Sequence, residues 1–397
     1  MLRSLRLIDW KSFGSAEVEL GPLTLLVGPN GSGKSNALDA LRFLQGAALD
    51  FPLGDALRGR WEGGRELWPA IRGAAAEAAT VGKAAFTLET TWDRDVAGVQ
   101  QRCSHTLEVD TQGDVSVRSE SLKGGQVEFF SATNPSGGSI SARFKARGSG
   151  QRPVEQYSVA RSLLGQLEPI DRMHEHVVPV ARDLRRKLRE ATFLDIRPAL
   201  MRDYRPVNGG HLGTSGENVS PVLMAMDTTT RERITDWLTE LCGPEFAKIE
   251  LEETKLREVM FYLVETAGRR TSARSASDGT LRFLGEVVAL LTAKPFTTVV
   301  LEEPDVGLHP SRIQLLANLL EHVTSHRQIQ VIATTHSATL LAHLSKRALA
   351  DVVAFGRGEP GGLTVCSRVG RLPHFESLAN SDHLESLIST GWLERAL

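Results

Sequence analysis

Cysteine, long apolar runs and an excess of charge of either sign are all scarce in this sequence. Only three cysteines occur among 397 residues, they lie far apart, and they form no Cys-x-x-Cys pair. This pattern disfavours a disulfide framework or a zinc site and fits a reducing compartment. No segment has the uninterrupted apolar length that a membrane-spanning helix needs. We therefore expect a cytoplasmic, soluble protein with no membrane partner.

The overall composition predicts a globular fold without a dominant charge. The formal net charge is −2, so no global basic excess indicates nucleic acid or an acidic membrane surface. Hydrophobic residues make up 41% and charged residues 24% of the chain, enough for two or three domains or one domain with large insertions. Neither a fixed-period repeat nor a sustained heptad pattern is present.

Changes in the pattern of apolar and polar residues divide the chain into five predicted ranges. Apolar strands that alternate with helices near both ends predict a parallel sheet covered on both faces. Between them, residues 83–147 read as successive antiparallel strands, a loop follows at 146–153, and helices dominate from 156 to 248. The ranges are 1–50 for the first part of the core, 51–155 for a β-rich insertion, 156–248 for a helical lobe, 249–345 for the second part of the core, and 346–397 for a strand-helix extension.

A glycine-rich loop follows the apolar strand near the N-terminus. Residues 28–35 satisfy the pattern GxxxxGK[ST], with a strand before the loop and a helix after it. The glycines let backbone N–H groups point at phosphates, and the helix start adds its positive end. A chance glycine-rich turn would not carry this context. The loop, which we call the phosphate loop, predicts nucleotide contacts from Gly28, Pro29, Asn30, Gly31, Ser32, Gly33, Lys34, Ser35 and Asn36, with the Ser35 hydroxyl on Mg²⁺.

Two carboxylates follow a buried strand late in the chain. Glu302 and Glu303 come directly after an apolar run, where ligands bind in open α/β sheets. We assign Glu302 to Mg²⁺ and Glu303 to the water that attacks the γ-phosphate. A solvated acidic loop is the alternative, and it is common for such a sequence in isolation. The buried strand and the phosphate loop favour the functional interpretation.

Two further segments are candidate parts of the same site. His336 ends the next apolar strand and is predicted to sense the γ-phosphate, although a lone histidine is more often a packed or capping residue. Ser277, Asp278 and Gly279, which we call the serine turn, open an amphipathic helix and make a second potential anion site. The alternative for this turn is an ordinary helix N-cap.

Together these segments resemble the ABC-type ATPase heads of the RecF, OLD and SMC-like branch, often described as AAA-family ATPases. The resembling residues are the phosphate loop, the acidic end from Val299 to Pro310, the histidine segment and the serine turn. The entry segment "LIDWKSFGSAEVEL" is also similar, and the resemblance implies that Lys11 lies near the nucleotide base or ribose. The implied fold class is α/β: a P-loop NTPase head with a mixed or parallel core sheet, an antiparallel β subdomain and a helical subdomain.

The resemblance also implies a mechanism. Two copies pair head to tail as a homodimer or higher oligomer, and each ATP with its Mg²⁺ lies between one copy's phosphate loop and the other's serine turn. Lys34, Glu303 and His336 then act on the γ-phosphate, and hydrolysis lets the dimer open. The segment Asp305 to His309 is expected at the dimer interface.

Features of related subfamilies are missing from the sequence. It has no long coiled coil of the SMC type, and after His336 it has no DxD and no room for a Toprim nuclease domain. The chain therefore resembles a stand-alone ATPase that regulates a separately encoded nuclease or effector, in phage defence or DNA repair. An ATP-bound scaffold with little turnover and a transporter ATPase subunit are the alternatives. The arginine-rich stretch from Arg182 to Arg189 could bind DNA or be a solvated helix face.

Overall fold

The computed structural model describes residues 1–134, 138–145, 154–167, 176–208, 210–358, 362–373, 375–379 and 384–397. The loop predicted at 146–153 lies outside the described residues. Among the described helices, none combines the length and the apolar character that crossing a bilayer would require.

The strands follow one another through the whole chain. In order they are β1 (Leu2–Trp10), β2 (Phe13–Glu19), β3 (Leu23–Val27), β4 (Arg60–Glu62), β5 (Arg65–Trp68), β6 (Ala85–Val96), β7 (Val99–Asp110), β8 (Ser116–Gly124), β9 (Val127–Thr133), β10 (Ser139–Phe144), β11 (Val154–Ser158), β12 (Thr192–Leu194), β13 (Arg205–Pro206), β14 (Phe246–Glu253), β15 (Glu258–Glu265), β16 (Arg270–Ser272), β17 (Thr298–Glu302), β18 (Gln330–Thr335), β19 (Val353–Arg357) and β20 (Thr364–Arg368).

The helices lie mainly in the first part and the second half of the chain. In order they are α1 (Lys34–Ala48), α2 (Leu53–Arg58), α3 (Leu163–Gln166), α4 (Val178–Arg189), α5 (Val219–Ala225), α6 (Thr228–Cys242), α7 (Asp278–Thr292), α8 (Pro310–His326), α9 (Ala338–Ala342), α10 (Lys346–Ala350), α11 (Phe375–Ala379), α12 (Leu384–Ser389) and α13 (Trp392–Arg395).

A six-stranded sheet forms the core, in the order β12-β17-β18-β3-β19-β20. The first five strands pair in parallel, and β20 pairs with β19 in the antiparallel direction. The predicted core sheet is therefore confirmed and is mixed. Because β3, β17 and β18 are neighbours in parallel, their carboxyl ends meet at one edge of the sheet.

The core sheet separates two hydrophobic clusters. Leu25 and Leu301 pack into the cluster that contains α7 and α8, whereas Leu26 and Val300 pack into the cluster that contains α1 and α4. Adjacent residues of a strand point to opposite faces, so each apolar run fills both clusters. This two-sided burial explains why the core strands are continuously apolar rather than alternating.

Antiparallel strands form a second, eight-stranded sheet, in the order β11-β10-β9-β8-β7-β6-β1-β2. This confirms the antiparallel strands predicted after Lys83. Strands β1 and β2 belong to this sheet, although the sequence places them in the first predicted range. Strands of this one sheet therefore lie on both sides of the predicted range boundary near residue 50. The range boundaries themselves remain predictions.

A smaller sheet lies within the cluster that contains α7. Strand β15 pairs with β14 on one edge and with β13 and β16 on the other, all antiparallel. This confirms the predicted strand pair, which lies close to the start of α7. The remaining strands, β4 and β5, form a separate hairpin.

Four strands, β11, β12, β13 and β14, lie wholly or partly within the predicted helical range. Residues Thr192–Leu194 form β12 and add a parallel edge to β17, and Gln156 lies on β11. The prediction of helix through these residues was wrong. The helix preceding β12 ends at Arg189, where the chain joins the core sheet and gains hydrogen bonds that a longer helix could not make.

Candidate functional site

The phosphate loop connects β3 to α1 through a closely packed turn. Gly28 has φ +145° and Gly33 has φ +107°, conformations that side chains disfavour. A Cβ atom at Gly28 would lie 2.2 Å from the Phe355 carbonyl oxygen, and one at Gly33 would lie 2.6 Å from Thr364 Oγ1. Both glycines are therefore required by space as well as by backbone conformation.

Polar groups in the loop fit a phosphate ligand. The buried ammonium of Lys34 donates to the carbonyl oxygens of Gly28 at 2.6 Å and Pro29 at 3.0 Å. The Ser32 hydroxyl oxygen is buried and has no hydrogen-bond partner within the described ranges. A buried hydroxyl without a partner is costly unless a ligand supplies one. The glycine cradle, the lysine and this hydroxyl together match the needs of a nucleotide phosphate.

Side chains from distant segments hold the loop in place. Thr364 Oγ1 donates to the Ser32 carbonyl at 3.0 Å, and Arg357 donates to the Gly31 carbonyl through Nε at 3.0 Å and Nη2 at 2.8 Å. Asn36 Nδ2 donates to Ser12 Oγ at 2.8 Å. Sequence reasoning missed Thr364 and Arg357, because nothing in the pattern of β19 and β20 indicates which strand end meets the loop.

A chain of alternating charges runs from the β1–β2 turn to the acidic end of β17. Lys11 Nζ lies 2.5 Å from Asp39 Oδ2 and donates to the Arg72 carbonyl at 2.6 Å. Arg72 Nη1 lies 3.3 Å from Asp39 Oδ1, and Arg72 Nη2 forms an ion pair with Glu302. Asp39 lies one turn after Ser35 on α1, and Arg72 carries no sequence signal, so sequence reasoning missed both.

The Lys11 side chain is held within this chain of charges. It is 6% exposed, and burial lowers the pKa of its ammonium while the Asp39 carboxylate opposes that shift. The predicted contact between Lys11 and the nucleotide base or ribose remains a prediction. Its observed role is to fix Asp39 and the segment that carries Arg72.

Glu302 lies at the last position of β17, in register with Thr334 of β18. Within the described ranges, no group of three or more histidine, cysteine or acidic side chains could hold a metal ion by itself. Mg²⁺ in nucleotide sites is bound through one or two protein oxygens together with phosphates and water. Ser35 and Glu302 therefore remain the proposed protein ligands.

Glu303 and His336 face each other at the ends of adjacent strands. His336 Nε2 lies 3.6 Å from Glu303 Oε1, and both side chains are partly exposed. Glu303 has φ +44°, a conformation that a non-glycine residue rarely adopts, and its N–H donates to Thr334 Oγ1 at 3.2 Å. The turned backbone lets Glu303 point to the same edge as Glu302, although consecutive strand residues normally alternate.

The segment after Glu303 folds back beside the sheet. Burial raises the pKa of the Asp305 carboxyl, and a hydrogen bond from Thr335 opposes the shift. One oxygen of Asp305 is buried without a partner in the described part of the chain. Farther along, His309 caps α8 by accepting from the Ser311 N–H at 3.3 Å.

The serine turn lies against this segment. Ser277 caps α7 by accepting from the Thr280 N–H at 3.2 Å, so the N-cap interpretation describes its observed hydrogen bond. A Cβ atom at Gly279 would lie 2.5 Å from the Gly307 carbonyl oxygen. The described contacts that hold this turn come from its own helix, from the residues after Glu303 and from Arg202, not from the phosphate loop.

Arg202 organises the loop that leads into the serine turn. Its Nη1 donates to the carbonyl oxygens of Ala273 at 3.2 Å, Arg274 at 2.7 Å and Ala276 at 2.9 Å. Its Nη2 lies 2.5 Å from Asp278 Oδ1. One guanidinium thus fixes three carbonyls and one carboxylate, a geometry that lysine could not reproduce.

The arginine-rich stretch forms α4, which packs against α1. Asp183 forms ion pairs with Arg186 and Lys187, and Arg185 donates to the carbonyl oxygens of Ala48 and Leu167. Several of its cations therefore have structural partners. DNA binding by this helix remains a prediction.

A family model described as "AAA domain, putative AbiEii toxin, Type IV TA system" matches residues 23–78 and 141–342, more than half of the chain. No curated protein matches the sequence significantly.

Several solved structures align with most of this chain. An SMC head bound to the C-terminal winged-helix domain of ScpA aligns with a TM-score of 0.52 and 11% identity, covering 92% of this chain and 96% of the other. The SMC head domain from Thermotoga maritima aligns with a TM-score of 0.46 and 15% identity, covering 93% and 98%. The Smc head domain from Pyrococcus furiosus, bound to the C-terminal domain of ScpA, aligns with a TM-score of 0.46 and 10% identity, covering 92% and 95%. At 11% identity, the alignment with a TM-score of 0.52 establishes the fold alone, which is that of a P-loop ATPase head.

Proposed function

The chain belongs to this AAA-domain family, and from that premise we propose that it is a Mg²⁺-dependent ATPase that works as a dimeric switch. The observation that carries the proposal is the meeting of three strand ends. The phosphate loop follows β3, Glu303 follows β17 and His336 follows β18, and these strands are parallel neighbours in the core sheet.

Each residue in this arrangement has a proposed role. The N–H groups of the phosphate loop and the Lys34 ammonium bind and orient the β- and γ-phosphates. Ser35 and Glu302 hold Mg²⁺, which when bound neutralises charge that develops on the phosphate oxygens. Glu303 accepts a hydrogen bond from the attacking water and orients it, and His336 holds Glu303 and contacts the γ-phosphate.

The serine turn is proposed to act on the nucleotide of a second copy. Its contacts within the chain come from Arg202 and Gly307 and leave the start of α7 at the surface. The N-terminus of a fifteen-residue helix favours an anion, and the Ser277 hydroxyl adds a donor. ATP would then join the phosphate loop of one copy to the serine turn of the other, and hydrolysis would release them.

We further propose that this dimer cycle regulates a separately encoded partner, either a nuclease or another effector, in phage defence or DNA repair. The support is the fold shared with SMC heads, two of which are described as bound to the partner protein ScpA. The family description names a putative toxin, and the proposed ATPase activity rests on the nucleotide site rather than on that description.

The decisive experiment is the solution mass of Glu303→Gln, measured by light scattering with Mg-ATP and with Mg-ADP. The amide keeps the size of the side chain but cannot accept a proton from water, so ATP should persist and trap a dimer. Glu232→Gln, an exposed change on α6, is the matched control and should behave as wild type.

Hydrolysis by wild type completes this test. The switch would be supported if Glu303→Gln releases phosphate at least about a hundredfold more slowly than wild type and forms an ATP-dependent dimer. If Glu303→Gln releases phosphate as fast as wild type, the proposed role of Glu303 is excluded. A scaffold with little turnover would show no hydrolysis and the same mass in both nucleotides.

A further inference from the structure

A cavity of about 420 Å³ lies at the amino ends of β17 and β18, on the side of the core sheet away from the phosphate loop. We call it the basal pocket. Helices α6, α7 and α8 form its walls, and its lining residues are Arg233, Asp236, Trp237, Leu291, His322, His326 and Arg327.

Basic groups of the basal pocket lack acidic partners. Among the described residues, no carboxylate forms an ion pair with Arg233 or Arg327, and Arg327 Nε is buried without a hydrogen-bond partner. Burial lowers the pKa of His322, and the positive charges of His326, Arg233 and Arg327 lower it further. The lining therefore carries two arginines and two histidines against one carboxylate, Asp236, and this local excess of basic groups attracts an incoming anion.

Aromatic side chains accompany these charges. The rings of Trp237 and His322 meet edge to face at 5.9 Å, and His322 stacks on His326 at 4.6 Å. Arg233 and Trp237 are four residues apart on α6, as are His322 and His326 on α8, so each pair shares one helix face. The pocket therefore offers both cations and flat apolar surface.

A strained, exposed phenylalanine lies next to the basal pocket. Phe296 is 60% exposed and has φ +65°, and its N–H donates at 2.9 Å to the carbonyl of Gln328, which has φ +56°. Gln328 directly follows Arg327 of the pocket. Glycine would adopt this backbone at lower cost, so an exposed phenyl ring here suggests a contact surface rather than a packing requirement.

We propose that the basal pocket binds an acidic segment of a partner protein. Carboxylates of that segment pair with Arg233, His326 and Arg327, and an aromatic or aliphatic side chain packs against Trp237 and Phe296. A polypeptide fits better than nucleic acid, because the cations cluster in one recess beside Trp237 and Leu291, which suits carboxylate and apolar side chains together rather than a row of phosphates. Phe296 extends the surface beyond the cavity, which favours a segment over a small anion.

The position of the basal pocket links it to the nucleotide site. Helix α7 begins at the serine turn and α8 begins at His309, and both reach the pocket near their carboxyl ends. The two helices are about 22 and 25 Å long, so rigid elements of that length connect the two sites. A segment bound in the pocket contacts both helices and so can bias the position of the serine turn. This regulatory half of the inference rests on the proposed function, whereas the binding half does not.

Binding is tested on nucleotide-free protein by anisotropy of a fluorescent Glu–Tyr random copolymer. We expect Arg233→Glu/His326→Glu, two exposed positions, to weaken binding at least about tenfold, because both charges then repel the ligand. The control Lys255→Glu/Arg257→Glu reverses two exposed charges on the β14–β15 turn and should leave affinity unchanged. Equal affinity for wild type and the pocket variant would overturn the proposal.

A second variant separates binding from folding. Phe296→Gly should bind the copolymer more weakly while melting at the same or a higher temperature, since glycine relieves the positive φ. If Phe296→Gly binds the copolymer as tightly as wild type, Phe296 is not part of the proposed binding surface. A thirty-residue oligothymidylate is the nucleic acid probe, and if it binds as tightly and depends on the same residues, the protein-segment proposal fails.

ATP hydrolysis distinguishes this inference from the proposed function. Saturating copolymer should change the hydrolysis rate of wild type and not that of Arg233→Glu/His326→Glu. Wild type that hydrolyses ATP normally but does not bind the copolymer would refute the pocket alone. Wild type that binds the copolymer but does not hydrolyse ATP would refute the proposed function alone. A hydrolysis rate that bound copolymer leaves unchanged would refute the regulatory half of the inference.

Discussion

Arg72 forms an ion pair with Glu302, the carboxylate proposed to hold Mg²⁺, and thereby joins the segment after the β4–β5 hairpin to the end of β17. The same guanidinium lies 3.3 Å from Asp39 and donates to the Ser35 carbonyl at 3.3 Å. It therefore touches both segments that are proposed to supply Mg²⁺ ligands.

Removal of Arg72 should alter the Mg²⁺ requirement. Mg²⁺ must compete with the guanidinium for Glu302, so Arg72→Ala should lower the Mg²⁺ concentration for half-maximal ATP binding by about two- to fivefold, the range for a partly exposed ion pair. Titration of Mg²⁺ at fixed ATP measures this shift. Arg58→Ala on nearby α2 is the control, and an unchanged midpoint for Arg72→Ala would contradict the competition.

Asp39 should be important for stability because Lys11 depends on it. Both side chains are less than a tenth exposed, and Asp39→Asn leaves the buried ammonium without its counter-charge. We expect a loss of about 3–5 kcal/mol in the free energy of unfolding, measured with urea. The apolar pair Lys11→Met/Asp39→Leu removes both charges and should recover most of the loss. If Asp39→Asn alone were neutral, the pair would not be stabilised as described.

Gly279 should be essential for the serine turn. Alanine would place a methyl group 2.5 Å from the Gly307 carbonyl oxygen, and because this contact is backbone, no side-chain rotation can relieve it. Gly279→Ala should therefore abolish the ATP-dependent dimer of Glu303→Gln while nucleotide binding to one copy persists. Gly138→Ala is the matched control, since a Cβ there meets nothing within 4 Å. A trapped dimer in the Gly279→Ala background would refute the role of this turn.

Glu286 should make stability depend on pH. It lies wholly buried in α7, and burial raises its pKa well above 4.5, with Arg282 opposing and Asp305 adding to the shift. In the pH window from 4.5 up to the folded-state pKa, the folded state binds more protons than the unfolded state. The free energy of unfolding therefore falls as pH rises through this window, by up to about 1.4 kcal/mol per pH unit.

The amide variant tests this linkage. Glu286→Gln cannot ionise, so it should be more stable than wild type at neutral pH, and the difference should shrink as the pH falls towards 4.5. Thermal unfolding across this pH range provides the measurement, with Glu232→Gln as an exposed control. A constant difference between Glu286→Gln and wild type at every pH would mean that Glu286 does not titrate.

The sequence predicted the parts of the proposed nucleotide site that depend on local pattern. The phosphate loop needs glycines at φ values that other residues avoid, and the buried strands must end in polar residues where the sheet meets solvent. These requirements are written into short segments, so Glu302, Glu303 and His336 could be placed at strand ends, and Lys34 in the loop between a strand and a helix, before the fold was known. Helix prediction failed at Thr192–Leu194, because pairing with β17 outweighed the local pattern.

The sequence by itself determined the core sheet and the loop, since continuous apolar strands and a glycine-rich turn admit few arrangements. Only the tertiary structure decided which distant side chains meet there. Arg72 reaches Glu302 across 230 positions, and Thr364 reaches Ser32 across 332. Such contacts depend on how sheets and helices pack, and no periodicity or motif in a single sequence encodes them.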